Sequence, residues 1–445
     1  MTSVYLLFSL SVVIGICSIL TFFYVRSIIK TPAMIFTAQI YYEWISKQWS
    51  IIYLELNHEF MNEMDTVSSY IGASWRFAFY NLLIFWAASI VCRFLVRVFD
   101  PVSLAARTEK MDDTWAPANN DLVAISTLIL LAIFGLEYLN FALSSALPLP
   151  GSVATRHNYW DQYARFGWLP ILFGKLLLFV PLASGIVIYN KPSLLNKNIY
   201  YGFLLLYTGF LVISGQRFHG FLPGANLAFG VYIVHRLLRG RAIISKWMIT
   251  AAIAIIAVLM VYATIEMGQR KLASLRGGAE QALVYRILVI QGGAYWNADS
   301  YVSTHGASYR YYDMLDGMRT ILATIGTKNT FESYTLMGVN LAAGLPTITV
   351  LVCGYWLSVF IMIGYGALLG LTAFFVYWAA RTGSVLLAFP ISYLWMWTGS
   401  VYAHASLESI ISPKFLAFVI VTVSAFLYTE FRRRDPRQFA SISRR

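Results

Sequence analysis

Residues 214–220 read Ser-Gly-Gln-Arg-Phe-His-Gly and place Arg217 and His219 at the corner between two apolar runs. A guanidinium is a planar fork of donors that meets phosphate oxygens two at a time, so a cation fixed there suits an anion site. An arginine at a helix end also snorkels to the interface, which is the plainer use of the position. Further cations follow. Arg270 and Arg276 come directly after another apolar run, and Arg286 lies in the stretch 279–291, where Leu283, Ile287 and Ile290 recur at helical spacing. Together, Arg217, His219, Arg270, Arg276 and Arg286 have the chemistry to neutralise a pyrophosphate and to stabilise its growing charge as it leaves.

Proton transfer needs a second kind of group. His305, Asp313, Glu332 and His404 are the candidate general bases, and His404 precedes Glu408 by one helical turn. Histidine, with a free pKa of about 6.5, takes up a proton near neutrality, and a neighbouring carboxylate orients the ring. Tyr295, Trp296, Tyr311 and Tyr312 lie among the cations and offer faces for sugar rings, although Tyr and Trp also collect at membrane interfaces for mechanical reasons. No His-x3-His or Asp-x-Asp spacing stands in an external loop; Glu63-Met64-Asp65 is the nearest thing, and no metal site is expected. No Gly-rich phosphate loop or Walker-type lysine occurs, so no nucleotide cofactor is expected either. Within the apolar runs, Glu43 and Lys47 stand i, i+4 with the acid first and read as a mutually satisfied pair. Glu137, Asn140 and Lys175 are left to face a cavity or to pair across helices.

The elements that must hold these residues are set by composition. The chain is 58% hydrophobic and only 12% charged, with a mean hydropathy of +0.64; a soluble chain carries about twice that share of charge. The expected class is an all-α polytopic membrane protein, residues 1–445 forming a single transmembrane domain. About 20 apolar residues cross a bilayer, and about eleven candidate runs occur, at 3–25, 32–54, 76–97, 120–146, 167–189, 199–215, 220–235, 247–265, 346–378, 385–402 and 414–430. The run 346–378 is long enough for a tilted or a broken helix. The N-terminal run lacks a basic flank and a small-residue cleavage site, so it reads as a first span rather than a removable signal. Cys17, Cys92 and Cys353 all lie in apolar runs and form no disulfide or metal-binding pattern.

Charge sets the orientation. The net charge of +12 is distributed in short clusters, at Arg26–Lys30, Arg93–Lys110, Lys191–Lys197, Arg236–Lys246, Arg381 and Arg432–Arg445. These fall in every second connection, as positive-inside sorting requires, and not in one nucleic-acid-binding domain. The N-terminus is therefore expected outside and the C-terminus inside, with 55–75, 147–166, 216–219, 266–345 and 403–413 on the outer face. The segment 266–345 is longer than a connection needs. Helices are expected at 279–291 and around 313–325, separated by Gly292-Gly293 and the Ser/Thr/Gly run 303–308.

The Gly-x-Arg corner at 215–217, the large Arg- and Tyr-rich outer loop and the entry Asn340…Gly344-Leu345-Pro346 into the next run make the chain resemble the O-antigen polymerases of the Wzy type. The Arg-x10-Gly pattern of some members is absent from the loop. The resemblance implies that oligosaccharide repeat units carried on undecaprenyl pyrophosphate are joined at the periplasmic face of a bacterial inner membrane. One unit is the donor and its pyrophosphate leaves, while a hydroxyl of the other attacks. It implies membrane lipids and a chain-length regulator as partners, no nucleic acid, and neither metal nor cofactor. An O-antigen ligase differs only in its acceptor. A metal-dependent polyprenyl-phosphate sugar transferase would use Glu63 and Asp65. A flippase or other transporter would line a path with Arg217, Lys175 and Glu137, but the two related halves usual in transporters are not found.

Overall fold

The computed structural model describes residues 31–57, 63–64, 72–99, 120–149, 152–154, 158–169, 178–190, 194–214, 217–238, 279–337, 343–405 and 407–434. Apolar runs become helices because a bilayer offers backbone amides no other partner. A 3-10 turn at Pro32–Thr37 leads into α1 (Ala38–Asn57), followed by α2 (Ala73–Phe99), α3 (Asn120–Leu143), α4 (Phe179–Tyr189), α5 (Leu194–Ile213) and α6 (Arg217–Leu238). The segment after residue 278 forms α7 (Ala279–Leu288), α8 (Ile290–His305), α9 (Asp313–Asp316), α10 (Met318–Ile325) and α11 (Lys328–Met337). The chain continues through α12 (Gly344–Thr382), α13 (Ala388–His404), α14 (Glu408–Ile411) and α15 (Pro413–Arg434). Among the described residues the only strand-like pairing is one bridge, Met64 to Gly326.

Four helices are long and apolar enough to cross a membrane, at Ala73–Phe99, Asn120–Leu143, Gly344–Thr382 and Pro413–Glu430. The chain is a helical, multi-pass membrane protein. Helices also occupy the expected runs 32–54, 199–215, 220–235 and 385–402, and the run 167–189 from Phe179 onward. The runs 3–25 and 247–265 and the site residues Arg270, Arg276 and Lys175 lie outside the described residues.

Helices α2 and α12 form the backbone of the bundle. Their closeness depends on Gly366 and Gly370, one turn apart on α12, where an added Cβ would come within 2.4 Å of the Ile84 and Ala88 carbonyl oxygens. Small residues four apart let backbones meet where lipid supplies no hydrophobic drive between helices. The other face of α2 presents Trp86, Ile90 and Phe94 outward, as a lipid-facing surface should.

Side-chain contacts sort the connections into two ends. Arg93 donates to Thr31, the Asn190 amide donates to the Ala380 carbonyl, and Tyr189 packs on His235. These pairs join the connections in which Lys and Arg gather. At the opposite end, Thr327 N–H donates to the Glu63 carbonyl, Tyr285 donates to the Glu63 carboxylate, and Gly344 abuts Tyr402. In these pairs, connections that the charge count puts on one side lie together.

One expectation about 266–345 is corrected. Gly292-Gly293 does not separate two helices: the break falls at Val289, and both glycines lie buried inside α8. Their smallness serves packing, since a Cβ on Gly292 would sit 2.7 Å from Ile51 on α1, and the Gly292 N–H instead donates to Ser50 Oγ at 2.7 Å. Within the segment, α8 is buried from Gly292 to Ser300 among α1, α2 and α12.

Helix α12 is broken, as its length allowed. Gly354 has φ 71° and ψ −177°, which only glycine adopts at ease. Before it, Gly344–Cys353 is a half-helix buried throughout; after it, Tyr355–Thr382 is long enough to cross the bilayer. Carbonyls exposed by the break are taken up, since Ser308 N–H donates to Leu351 O at 3.1 Å and Tyr309 N–H to Val352 O at 2.8 Å. Irregular backbone at such a place is tolerated only when protein covers it in this way.

Candidate functional site

The densest polar cluster among the described residues lies where α2, α8 and the broken α12 meet. Arg76, in the first turn of α2, grips Asp299 of α8 with both arms of its fork: Nε donates to the two carboxylate oxygens at 3.0 and 3.1 Å, and Nη2 donates at 2.7 Å. Asp299 has no exposed side-chain surface, and Arg76 is 18% exposed. The guanidinium lies near two ring faces, 5.1 Å from Trp75 and 5.0 Å from Tyr355. Tyr355 donates to the Asp299 main-chain carbonyl at 3.0 Å, and Tyr80 donates to the Tyr355 carbonyl at 2.9 Å. The residue after the Gly354 break is thereby tied to the ion pair. Burial pushes the Asp299 carboxyl up to about 6, with Arg76 pulling it partway back.

The start of α2 is fixed just as firmly. Glu55 accepts from the N–H groups of Gly72 and Ser74, at 2.8 and 3.0 Å, and from the Ser74 hydroxyl at 2.6 Å. These are donors a helix end leaves unsatisfied, and a carboxylate also meets the positive end of the helix dipole. Arg76 is therefore preset before it meets Asp299.

Above this buried pair the chain presents an exposed strip. His305 ends α8, with Tyr309, Arg310, Tyr311 and Tyr312 following in the loop that caps the half-helix, and Trp356 emerges two residues past the break. Tyr312 and Trp356 are each 87% exposed. His305 stacks on Tyr301 with ring centres 4.5 Å apart, and its Nδ1 lies 2.7 Å from Thr304 Oγ1. The Thr304 hydroxyl directs its single hydrogen to the Ser300 or Tyr301 carbonyl. Nδ1 also lies 3.3 Å from the Tyr301 carbonyl, which only accepts, so the tautomer with Nδ1–H satisfies both contacts and leaves the Nε2 lone pair as the proton acceptor.

The remaining sequence-derived candidates divide. Asp313 opens the short α9, half-buried, next to the strip. Glu332 is exposed and lies 4.0 Å from Lys328 on its own helix. His404 ends α13, half-buried, on the Lys47 side of the bundle. Arg286 is half-buried on α7. Arg217 and His219 lie in the first turn of α6, whose other end carries His235 against Tyr189, so that first turn sits at the end of the bundle that holds the strip. Their side chains lie outside the description. Of the aromatics proposed for sugars, Tyr311 and Tyr312 are exposed, whereas Tyr295 and Trp296 are core residues at 1% and 0% exposure, Tyr295 packing on Phe77 at 4.7 Å.

Sequence reasoning missed both partners of the ion pair, which stand 223 positions apart. A signal existed: Gly292, Gly293, Ala294 and Ala298 make one side of α8 small enough to pack inside a bundle, which leaves Asp299 needing a cation. Glu43 and Lys47 act on one another through their charges, as their spacing suggested, but without a direct hydrogen bond. The Glu43 carboxylate accepts from Gln39 at 3.0 Å, while Lys47 Nζ has no hydrogen-bond partner and lies 5.0 Å above the Tyr402 ring. Asn140 is structural, donating to Tyr159 and accepting from the Phe166 N–H. Glu137 is buried with no partner for either oxygen. The Glu63 carboxylate is engaged by Tyr285, Asp65 lies outside the description, and no group of three potential metal ligands occurs among the described residues.

Residues 312–419 match the model of a family of unknown function, DUF6418. The matched stretch contains the broken helix, Tyr355 and His404, but neither Arg76 nor Asp299. No curated protein and no solved structure matches the chain.

Proposed function

We propose that the protein is a membrane-embedded glycosyltransferase that joins oligosaccharide repeat units carried on undecaprenyl pyrophosphate. The proposed setting is the periplasmic face of a bacterial inner membrane, with the N-terminus periplasmic and the C-terminus cytoplasmic. The observation that carries the reading is the exposed histidine, arginine and tyrosine strip from His305 to Tyr312, mounted on a broken helix and locked in place by the Arg76–Asp299 pair. Stacked aromatic faces suit sugar rings, Arg310 suits a phosphate, and His305 Nε2 suits the removal of a proton from an attacking hydroxyl. Arg217, at the same end of the bundle, is the proposed further contact for the leaving pyrophosphate. Rigid placement matters because glycosyl transfer between two bound chains depends on orientation.

The test is the pool of lipid-linked sugars in cells lacking the protein. Accumulation of single repeat units on the carrier, with loss of long polysaccharide, is the expected result. Finished polymers on the carrier would assign a ligase instead. One observation favours a transporter as second reading, namely the buried half-helix beside the buried Lys47, since broken helices line transport sites. Units confined to the cytoplasmic leaflet would decide for it.

A further inference from the structure

We propose that Tyr312, Leu315 and Trp356 form one face that lies in the outer headgroup layer of the bilayer and packs against phospholipid there. Tyr312 and Trp356 are each 87% exposed and Leu315 is 39% exposed. Single exposed apolar side chains need no partner, but these continue a lipid-facing surface. Trp356, Phe360 and Ile363 stand four and three positions apart, so they share one side of the long half of α12, and all three are exposed.

The loop is held at the level of Trp356. Ser308 and Tyr309 bond the carbonyls just before the break, the Tyr309 hydroxyl stands 3.4 Å from a Cβ built on Gly354, and Cys353 Sγ lies 3.1 Å from the Met314 sulfur. Tyr312 is thus tied on both sides to residues 351–354, beside Trp356.

Helix length sets the depth of that level. At about 1.5 Å per residue, Trp356 lies about 38 Å along the axis from Arg381, and on α2 the exposed Trp75 lies about 33 Å from Arg97. Both arginines belong to the clusters that positive-inside sorting places at the inner boundary. A tilt of about 20° shortens these spans to about 35 and 31 Å. They exceed the hydrocarbon core of about 30 Å and fall short of the about 40–45 Å that includes both headgroup layers. Trp75 and Trp356 therefore stand in the outer headgroup layer, where rings with an apolar body and a polar tip are favoured. His305 precedes by two residues Ala307, whose Cβ is 3.4 Å from a Cβ built on Gly354, so it stands near the same depth. Under the proposed function, on which this last consequence rests, a lipid-linked donor presents its pyrophosphate to the strip without leaving the bilayer.

The experiment is spin labelling of the full chain in vesicles of phosphatidylethanolamine and phosphatidylglycerol, with one nitroxide on Tyr312→Cys, Leu315→Cys or Trp356→Cys. The unsubstituted chain measures any labelling of the native cysteines. Collision with oxygen, which concentrates in lipid, against collision with a water-soluble nickel chelate gives depth, calibrated with lipids labelled at the headgroup and along the acyl chain. All three labels should lie within about 6 Å of the hydrocarbon boundary, the thickness of one headgroup layer, and a label on Phe360→Cys should lie about 6 Å deeper than one on Trp356→Cys. Labels at 312 and 315 as open to the chelate as in bulk water would overturn the proposal by leaving the loop in solvent. Labels shielded from both reagents would overturn it as well, by showing that protein covers the face. Tyr312→Cys and Leu315→Cys alter exposed positions and carry the test should Trp356→Cys fail to fold. No sugar transfer is read, so the outcome is separate from that of the glycosyl-transfer reading.

Discussion

Replacing Arg76 by Leu removes the countercharge of a fully buried carboxylate and leaves Asp299 with its Tyr355 contact. Breaking a buried pair from one side costs about 3–5 kcal/mol, because the remaining charge is stranded away from water. The cost is tied to ionisation. In the intact protein burial already lifts Asp299 from 3.8 to about 6, a difference of roughly 3 kcal/mol at about 1.4 kcal/mol per pKa unit. The folded value lies above the free value, so the folded state binds the proton more tightly. Stability from this group is present below about pH 4, declines as the pH rises towards 6, and is level above that. Arg76→Leu removes the largest influence that lowers this value, leaving the smaller one from Tyr355, so its carboxyl stays protonated to still higher pH. The variant should therefore be strongly destabilised at pH 7.5, regain most of the loss at pH 5, and be rescued at neutral pH by adding Asp299→Asn. Thermal unfolding of the four proteins of the cycle at the two pH values measures all three effects. A loss independent of pH, or unrelieved by the second substitution, would refute the reasoning, since the damage would then come from lost packing against Trp75 and Tyr355 and not from a stranded charge.

Three further expectations follow from single positions. Gly354→Ala places a side chain at φ 71°, ψ −177°, and should cost about 1–3 kcal/mol, read as a lower melting temperature in detergent. Gly370→Leu pushes a side chain into the Ala88 carbonyl and should uncouple α2 from α12, read as loss of folded protein on gel filtration, whereas Gly364→Leu, with nothing within 4 Å, should be tolerated. His305→Ala should lower repeat-unit joining by about 100-fold or more with unchanged melting temperature, because the ring is exposed and its loss removes a proton acceptor; unchanged chain-length ladders would remove it from the chemistry.

Much of the framework was legible from local pattern. An apolar run in a membrane has one low-energy backbone, so runs such as 76–97 and 414–430 specify α2 and α15 without knowledge of their neighbours. The placement of Lys and Arg in alternate connections likewise fixed which connections share an end, and the Arg93–Thr31 and Asn190–Ala380 contacts agree with it. The strip was partly legible too, since His305, Tyr311 and Tyr312 are polar or amphipathic residues close together in sequence.

What lay beyond local pattern depends on long-range packing. Gly292 and Gly293 look like breakers until α1 is found against them, and Tyr295 and Trp296 look like surface aromatics until α8 is seen to be internal. The i, i+4 spacing of Glu43 and Lys47 couples their charges, but only the bundle places Lys47 beneath Gly344 and Tyr402, nearly 300 positions onward. Composition and charge spacing by themselves determined a multi-pass helical protein with alternating ends. Only tertiary structure decided that Arg76 meets Asp299, that the chain breaks at Gly354 with its carbonyls capped by Ser308 and Tyr309, and that Lys47 lies against Gly344 and Tyr402. The physical reason is that helix formation in a bilayer is satisfied residue by residue within one segment, whereas a buried charge is satisfied only by whatever the folded bundle brings beside it.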